Sequence, residues 1–341
     1  MVRGSWQLTD NLRVAVAIWL LLGGPRSLCQ DKQAQGEAML DRGRAASNIR
    51  APNAPAFRLK VAFSFVSEKL ETVTGTYSEW WVSRNQWRRE IVAGDSRRLE
   101  IGGPDKRWLL DTGPSLPEQV KRLPASLDLV PSKTSKFVFD SIRDPAPDNT
   151  KVACAISVPG SEKQKSAFCF HKESGVLIQK IEPYLVGRRM GGYSCDYAAF
   201  HMFGNYAYPR EMACFVEGHQ KMDAKVTELA VEPSPDLALF KPPPEAVELG
   251  QCSGKTIAPR AISSPDPAMP WRAANDSNVT LELIVNTKGT AQDVKVLRSG
   301  GKSFDENAVR AVRGWHFQPA TCNGIPMATT ISVEVNFRMG R

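Results

Sequence analysis

Cysteine and histidine are the residue types whose spacing could support chemistry in this chain. There are seven cysteines and four histidines. No Cys-x-x-Cys pair occurs and no histidine lies beside a cysteine at metal-ligand spacing, so we expect no metal site. The histidines are far apart, and neither a Gly-x-Ser-x-Gly motif nor a phosphate loop is present. We therefore predict that the protein is not an enzyme and binds no cofactor.

The cysteines instead favour disulfide chemistry. Without Cys29, which lies in an apparent export signal, six remain, an even number that is typical of exported proteins. Six cysteines allow 15 connectivities, and pairing of each cysteine with its neighbour in the sequence favours one of them. The predicted disulfides are Cys154 with Cys169, Cys195 with Cys214, and Cys252 with Cys322.

The first residues have the layout of a signal peptide. Arg3 and Arg13 precede the apolar run 14–22, and two glycines and a proline follow it. The run is much shorter than the roughly 20 apolar residues that span a bilayer. We predict a signal peptide over residues 1–29, cleaved before Gln30, and hence a periplasmic protein. An uncleaved inner-membrane anchor or another membrane association is the alternative, whereas Arg26 and Leu28 do not fit a lipoprotein signal at Cys29.

The net charge of +8 raises the question of nucleic acid binding. Export argues against it, and the basic residues are scattered rather than gathered with aromatic residues on one motif. Attraction to an anionic envelope surface explains the charge more simply. We expect no nucleic acid partner.

The residues after the signal predict a short helix and then a long series of strands. Residues 30–56 form a helical N-terminal segment, with a helix over Asp31–Arg50 that ends at two prolines. From Phe57 the apolar residues recur at every second position, which is typical of half-buried antiparallel strands. One helix interrupts them over Ser115–Leu127, where Ser115 and Glu118 have the spacing of a capping box.

Several motifs in this half resemble one family of envelope proteins. They are the segments Asn48–Leu59, Gly75–Trp81, Trp87–Glu90, Val226–Leu229 and Pro235–Pro243. Together, over Phe57–Pro243, they look like the LolA/LolB group of lipoprotein-sorting proteins. The resemblance implies a curved half-barrel sheet around a hydrophobic cavity that holds lipid chains. The alternative is that the same apolar side chains fill an ordinary core, because alternation is identical in both cases.

The last part of the chain predicts a second, smaller domain. A proline-rich linker over residues 244–257 leads into two strands that are joined by a turn at Asn286–Gly289. A helix follows, opened by Ser303 with Glu306 three residues later and closed by Gly314, and a final strand ends the domain. The order strand, strand, helix, strand makes a two-layer unit.

An ordered set of motifs in residues 258–341 resembles the TonB C-terminal domain. The set consists of Pro265–Pro267, Val279–Gly289, Val294–Val296, Ser299–Gly300, Phe304–Ala308, Gly314–Ala320, Gly324–Pro326 and Val333–Phe337. In that family, an extended peptide of an outer-membrane transporter adds as a strand to the last strand of the domain.

The TonB resemblance implies a partner-binding edge in the last strand. This edge consists of Thr330, Ile331, Ser332, Val333, Glu334, Val335, Asn336, Phe337 and Arg338. We expect Trp315, Phe317 and Phe337 to pack in the core. The candidate surface contacts are Arg310, Arg313, His316 and Gln318.

The sequence thus predicts an α+β protein with three parts: a signal peptide, a curved antiparallel half-barrel sheet with few helices, and a small TonB-like β-β-α-β domain. The predicted function is envelope transport, with an outer-membrane transporter or another envelope protein bound by strand addition. One alternative is a carrier with a lipid or lipoprotein ligand in the half-barrel and the C-terminal domain as a docking module. Another is a structural envelope protein. The apolar run holds no histidine and the linker is short, so we do not expect coupling to an inner-membrane motor.

Overall fold

A computed structural model describes residues 25–67, 70–104, 106–132, 137–143, 151–157, 165–186, 189–252, 254–271 and 275–339. The signal-peptide prediction falls largely on residues 1–24, which lie outside this set. Of the helices in the described part, none is long and apolar enough to cross a membrane.

The secondary structure is dominated by antiparallel strands, as the alternation predicts. The helices are α1 (Pro25–Ser47), α2 (Glu118–Lys121), α3 (Leu123–Leu127), a 3₁₀ turn (Leu237–Phe240) and α4 (Lys302–Arg313). The strands of the first two thirds of the chain are β1 (Phe57–Val66), β2 (Thr72–Ser83), β3 (Gln86–Ala93), β4 (Ser96–Gly102), β5 (Lys106–Thr112), β6 (Phe139–Arg143), β7 (Val152–Ser157), β8 (Ser166–His171), β9 (Leu177–Val186), β10 (Arg189–Phe203), β11 (Tyr206–Val216) and β12 (His219–Val231). The later strands are β13 (Val247–Gly250), β14 (Thr256–Ile257), β15 (Arg260–Ser263), β16 (Ser277–Val285), β17 (Ala291–Arg298), β18 (His316–Gln318), β19 (Ala320–Cys322), β20 (Ile325–Met327) and β21 (Thr329–Phe337).

The chain forms two compact units whose limits differ from the predicted domains. Among the described residues, the first unit combines those of 25–48 with those of 126–220, and the second combines those of 49–125 with those of 221–339. The TonB-like segment therefore belongs to the same unit as β1–β5. A contiguous domain prediction misses this because strands that are distant in sequence pair in one sheet.

In the first unit, β6 to β11 form an antiparallel series in which each strand pairs with the next. Two of the predicted disulfides lie here, and both are confirmed. Cys154 lies directly opposite Cys169 across β7 and β8, and Cys195 lies opposite Cys214 across β10 and β11. Directly opposed positions of antiparallel strands bring the side chains close enough for a bridge.

Helix α1 packs on the strands of this unit through its glycines. A Cβ atom at Gly36 would overlap the ring of Phe139, and one at Gly43 would overlap the ring of Phe170. The side chain of Gln33 adds two hydrogen bonds, to the carbonyl of Phe137 and from the amide of Phe139, each at 2.9 Å. The helix begins at Pro25, earlier than the predicted Asp31, and ends at Ser47.

In the second unit, β12 and β1–β5 form an antiparallel series that ends with β13, in the order β13-β5-β4-β3-β2-β1-β12. The C-terminal module, residues 256–339, contains three smaller sheets. Their orders are β17-β16-β21, β14-β19-β20 and β15-β18. The 244–257 segment is thus not a free linker, because β13 pairs with β5 and β14 pairs with β19. Its strands are too short for sequence periodicity to reveal.

The central sheet of the module confirms the hairpin prediction. Strands β16 and β17 are joined by the turn at Asn286–Gly289, where Gly289 has φ = 80°. Helix α4 covers one face of this sheet, with Ala308 and Val312 buried against Val279 and Leu281.

The two predicted capping boxes are wrong. Helix α4 has Gly301 at its N-cap and no side-chain cap, and α2 has Pro117 there. At α4 the Asp305 carboxylate instead accepts a hydrogen bond from the Gly300 amide, at 2.9 Å. The N-cap is Gly301, with φ = 116°, and the helix therefore begins two residues too early for Ser303 to cap it. The predicted end at Gly314 is confirmed.

The close approach of α1 to the strands leads to a stability prediction. Gly36→Ala should destabilise the protein, because overpacking against Phe139 costs about 1–3 kcal/mol and exceeds the gain in helix propensity of about 1 kcal/mol. Urea denaturation would measure the free energy of unfolding. Gln35→Ala, on the exposed side of α1, is the matched control. A Gly36→Ala protein as stable as this control would contradict the packing described above.

Candidate partner-binding edge

The predicted binding strand lies at one end of a three-stranded sheet. Strand β21 pairs along its length with β16, and no strand in the described part of the chain pairs with its other side. The pairing runs from Val285 with Thr329 to Ser277 with Phe337 without a shift in register. Most of the predicted edge residues, from Thr330 to Phe337, therefore belong to one regular strand, and Arg338 follows it.

The opposite edge of the same sheet is irregular. The register between β16 and β17 shifts twice, between Thr280 and Leu281 and between Glu282 and Ile284. At the second shift Asp293 has φ = 48°, a conformation that is uncommon for residues other than glycine. Bulges of this kind twist an edge and protect it against pairing with another chain. Of the two edges, only β21 presents an unbroken ladder.

The two faces of β21 differ in chemistry. Val335 and Phe337 are buried beneath α4, and the Phe337 ring meets the Phe304 ring edge to face, with centroids 5.0 Å apart. Ser332, Glu334 and Asn336, on the other face, are exposed. A strand added to β21 would therefore meet apolar neighbours on one face and polar neighbours on the other.

Both faces of the neighbouring β16 are covered. Val279, Leu281, Leu283 and Val285 face α4, while Glu282 and Ile284 face β4 and β5. Ile284 packs with Leu109, Leu249 and Ala328 in a small buried cluster. A partner strand could therefore join this sheet at its edges and not on the faces of β16.

A buried ionic cluster joins the module to β4, β5 and α2. One carboxylate oxygen of Glu282 lies 2.7 Å from Lys121 Nζ and 3.2 Å from an Arg98 Nη atom. Arg98 also pairs with Asp111 at 2.6 Å, and Lys295 donates to the Asp111 carbonyl at 3.1 Å. Burial lowers the pKa of Lys121, although the attraction of Glu282 opposes it.

The residue just before β21 has a partner within the chain. The amide of Gly250, at the end of β13, donates to the Ala328 carbonyl at 3.0 Å. Two residues further on, Cys252 forms the third predicted disulfide with Cys322, which is confirmed. Strand β13 thus meets the start of β21 from the side of β5.

The four candidate surface residues are all exposed, but they do not form one site with β21. Arg310 and Arg313 lie on α4, where Arg310 donates to Asn307 at 3.3 Å. His316 and Gln318 lie on β18, which pairs with β15 of the same chain. Sequence reasoning missed β15 because it is only four residues long and lies among prolines.

The predicted core aromatics of the module are packed as expected. Phe317 and Phe337 are buried, and Trp315 packs against the same cluster while its Nε1 donates to the Pro265 carbonyl at 3.1 Å. The described residues contain no group of three or more potential metal ligands.

A second charged cluster lies on the face of β2 and β3 that is lined by the β1 phenylalanines. Glu79 is fully buried and pairs with both Arg50 and Arg89, and Tyr77 donates to it at 3.0 Å. Burial alone would raise the pKa of the Glu79 carboxyl, but the two guanidinium groups outweigh this effect and lower its pKa to about 2. Phe57, Leu59 and Val61 around it are at most 1% exposed.

Comparison with known proteins supports the resemblance to the TonB C-terminal domain. Residues 267–339 match the family model of the Gram-negative bacterial TonB protein C-terminal. An outer membrane lipoprotein-sorting protein domain from Vibrio parahaemolyticus is 12% identical, with a TM-score of 0.42 over 60% of this chain and 97% of that chain. A LolA superfamily protein from Nitrosomonas europaea is 13% identical, with the same TM-score and coverage.

The structure of MucB is 11% identical, with a TM-score of 0.28 over 82% of this chain and 97% of that chain. A search of the curated proteins found no match. The family match lies within the C-terminal module.

The Glu79 cluster leads to a prediction on pH dependence. The pKa of Glu79 is lower in the folded protein than the roughly 4.3 of an unfolded chain, so its contribution to stability is complete above that value and is lost as the pH falls toward about 2. Glu79→Gln leaves two buried arginines without their shared carboxylate and should cost about 3–5 kcal/mol at neutral pH.

The measurement is the free energy of unfolding from pH 7 to pH 2. The difference between wild type and Glu79→Gln should shrink below about pH 4.5, where the unfolded chain begins to take up the proton. The exposed Glu71→Gln serves as control. A difference that stays constant across this range would show that the charge on Glu79 is not what stabilises the fold.

Proposed function

We propose that this protein acts in envelope transport by binding an extended segment of an outer-membrane transporter or another envelope protein along β21. The observation that carries the proposal is the contrast between the two edges of the β17-β16-β21 sheet. The β17 edge is interrupted by bulges, whereas β21 is regular over nine residue pairs. Amide and carbonyl groups on the outer side of such a strand pair with a foreign backbone, and this pairing supplies most of the affinity.

The two faces of β21 determine which segments would fit. A bound strand would place alternate side chains next to Val333 and Val335 on the apolar face and next to Ser332 and Glu334 on the polar face. A segment with alternating apolar and polar residues meets both requirements. The match of residues 267–339 to the TonB C-terminal family supports the same mode of binding.

The three disulfides support an exported protein, because such bonds persist in oxidising compartments such as the periplasm. We propose that the protein works there, as the layout of its first residues predicts.

The alternative function, a lipid or lipoprotein carrier, has less support in the second unit. A chamber wide enough for an acyl chain would leave the side chains of its lining exposed, yet Phe57, Leu59 and Tyr77 are fully buried. The buried charges of Glu79 and Arg89 on the same face would also be poor neighbours for hydrocarbon. A lipid ligand would therefore require this interior to open.

Site-directed crosslinking tests the proposed edge. Ser332→Cys or Asn336→Cys in the oxidised full-length protein should form a disulfide with a synthetic TonB-box peptide that carries one cysteine. In a series of peptides with the cysteine at successive positions, the crosslinking yield should be high at every second position. The reason is that only every second side chain of an added strand lies on the same face as Ser332.

Gln292→Cys is the matched control, because it is exposed on the bulged β17 at the opposite edge. It should crosslink weakly and without a period. Equal crosslinking at both edges, or none at β21, would refute the proposal.

A further inference from the structure

The three disulfides differ in their exposure to solvent. The four cysteines of the first unit are at most 4% exposed, whereas Cys252 and Cys322 are both partly exposed. Exchange of a disulfide requires that a thiolate reach one of its two sulfur atoms, so the rate depends on access. Of the three bonds, Cys252–Cys322 is therefore the one that a reductant can approach in the folded protein.

The charges that lie near this bond in the sequence are positive. Lys255 and Arg260 are exposed, and neither residues 251–265 nor residues 319–333 contain an acidic side chain. The Cys252 sulfur lies 3.9 Å from the Lys255 carbonyl oxygen, which places it beside the backbone of this cationic residue. Positive surroundings attract an attacking thiolate and stabilise the thiolate that leaves.

The short strand β14, which follows Cys252, adds no buried apolar side chain to the module. Thr256 and Ile257 are both exposed, and they pair with Cys322 and Thr321 of β19. Exposed backbone hydrogen bonds with few apolar contacts around them are typical of segments that open locally. The disulfide is thus a main constraint that keeps β14 on β19.

The other contacts of this segment are polar and exposed as well. The Lys255 amide donates to Asn323 Oδ1, and the Asn323 amide donates to the Lys255 carbonyl, each at 2.9 Å. Thr321 Oγ1, opposite Ile257, is buried without a hydrogen-bond partner among the described residues. Separation of β14 from β19 would let water reach this hydroxyl, which favours release.

From these contacts we infer that Cys252–Cys322 is a site of thiol–disulfide exchange with a dithiol reductant, and that its reduction releases β14 from β19. The two buried disulfides and the core of the module stay intact. The redox state of this one bond then decides whether the chain between β13 and β15 is paired with the module. Strand β21 pairs with β16 and not with β14 or β19, so this inference does not depend on the proposed function.

The exchange has two steps. A thiolate of the reductant attacks one of the two sulfur atoms, the bond between Cys252 and Cys322 breaks, and the other cysteine leaves as a thiolate. The second thiolate of the reductant then attacks the mixed disulfide and releases the first cysteine. The protein gains two electrons and two protons as two thiols, and the reductant becomes a disulfide.

Timed alkylation of the full-length protein tests the site. Thiols outside the three disulfides are blocked with N-ethylmaleimide, dithiothreitol is added, and samples are quenched with iodoacetamide for peptide mass spectrometry. Cys252 and Cys322 should be alkylated about tenfold or more faster than the four buried cysteines, which react only from opened states. Equal rates for all three pairs, or faster reaction of a buried pair, would overturn the inference.

Hydrogen exchange tests the release of β14. The protein in which only Cys252 and Cys322 are alkylated is compared with a double variant, Cys252→Ser with Cys322→Ser. In both, the amides of Lys255 and Asn323 should exchange about tenfold or more faster than in the oxidised wild type, while those of β16 and α4 keep their rates.

The matched control is Cys154→Ser with Cys169→Ser, which removes a buried disulfide of the first unit. It should leave exchange at Lys255 and Asn323 unchanged. Protection of these two amides that persists in both reduced forms would refute the release of β14. Faster exchange throughout β16 and α4 would also refute it, because the bond would then hold the whole module and not one strand.

Discussion

The need to bury both faces of β16 is the constraint on which the rest of the module depends. Helix α4 covers Leu281 and Leu283 on one face, and β4 and β5 cover Glu282 and Ile284 on the other. A carboxylate in that position must be paired, because an isolated buried charge is strongly destabilising. Lys121 and Arg98 provide the pairing, and they thereby fix the orientation of the module on the sheet. With both faces occupied, only the strand edges remain for recognition.

The second unit contains two buried carboxylates that are paired in the same way. Glu79 and Glu282 are both buried carboxylates, and each is paired with two cations from other elements. Such pairs add little net stability compared with apolar packing, but removing one partner is costly, so they specify which elements come together. The interior of this unit is consequently a packed core with ionic connections.

The three disulfides add covalent links between segments that also pair or pack. Two of them link directly opposed strands in the first unit. The third, between Cys252 and Cys322, attaches the chain after β13 to the β19–β20 hairpin. It keeps the start of β21 near β13 even though few apolar residues lie between them.

The sequence by itself determined the local structure and the pairings that local spacing controls: the alternating strands from Phe57 onward, the hairpin at Gly289, the end of α4 at Gly314 and the three disulfides. These features depend on residues close in the chain or on a single periodicity. The tertiary structure decided the two compact units, the partners of Glu79 and Glu282, and the strands β13 and β15 in the proline-rich segment. Arg98 and Lys121 meet Glu282 across more than 150 residues of sequence, and no periodicity records which distant charge a buried carboxylate will face. The open side of β21 is likewise a property of the assembled sheet, because a strand is an edge only when nothing else in the fold pairs with it.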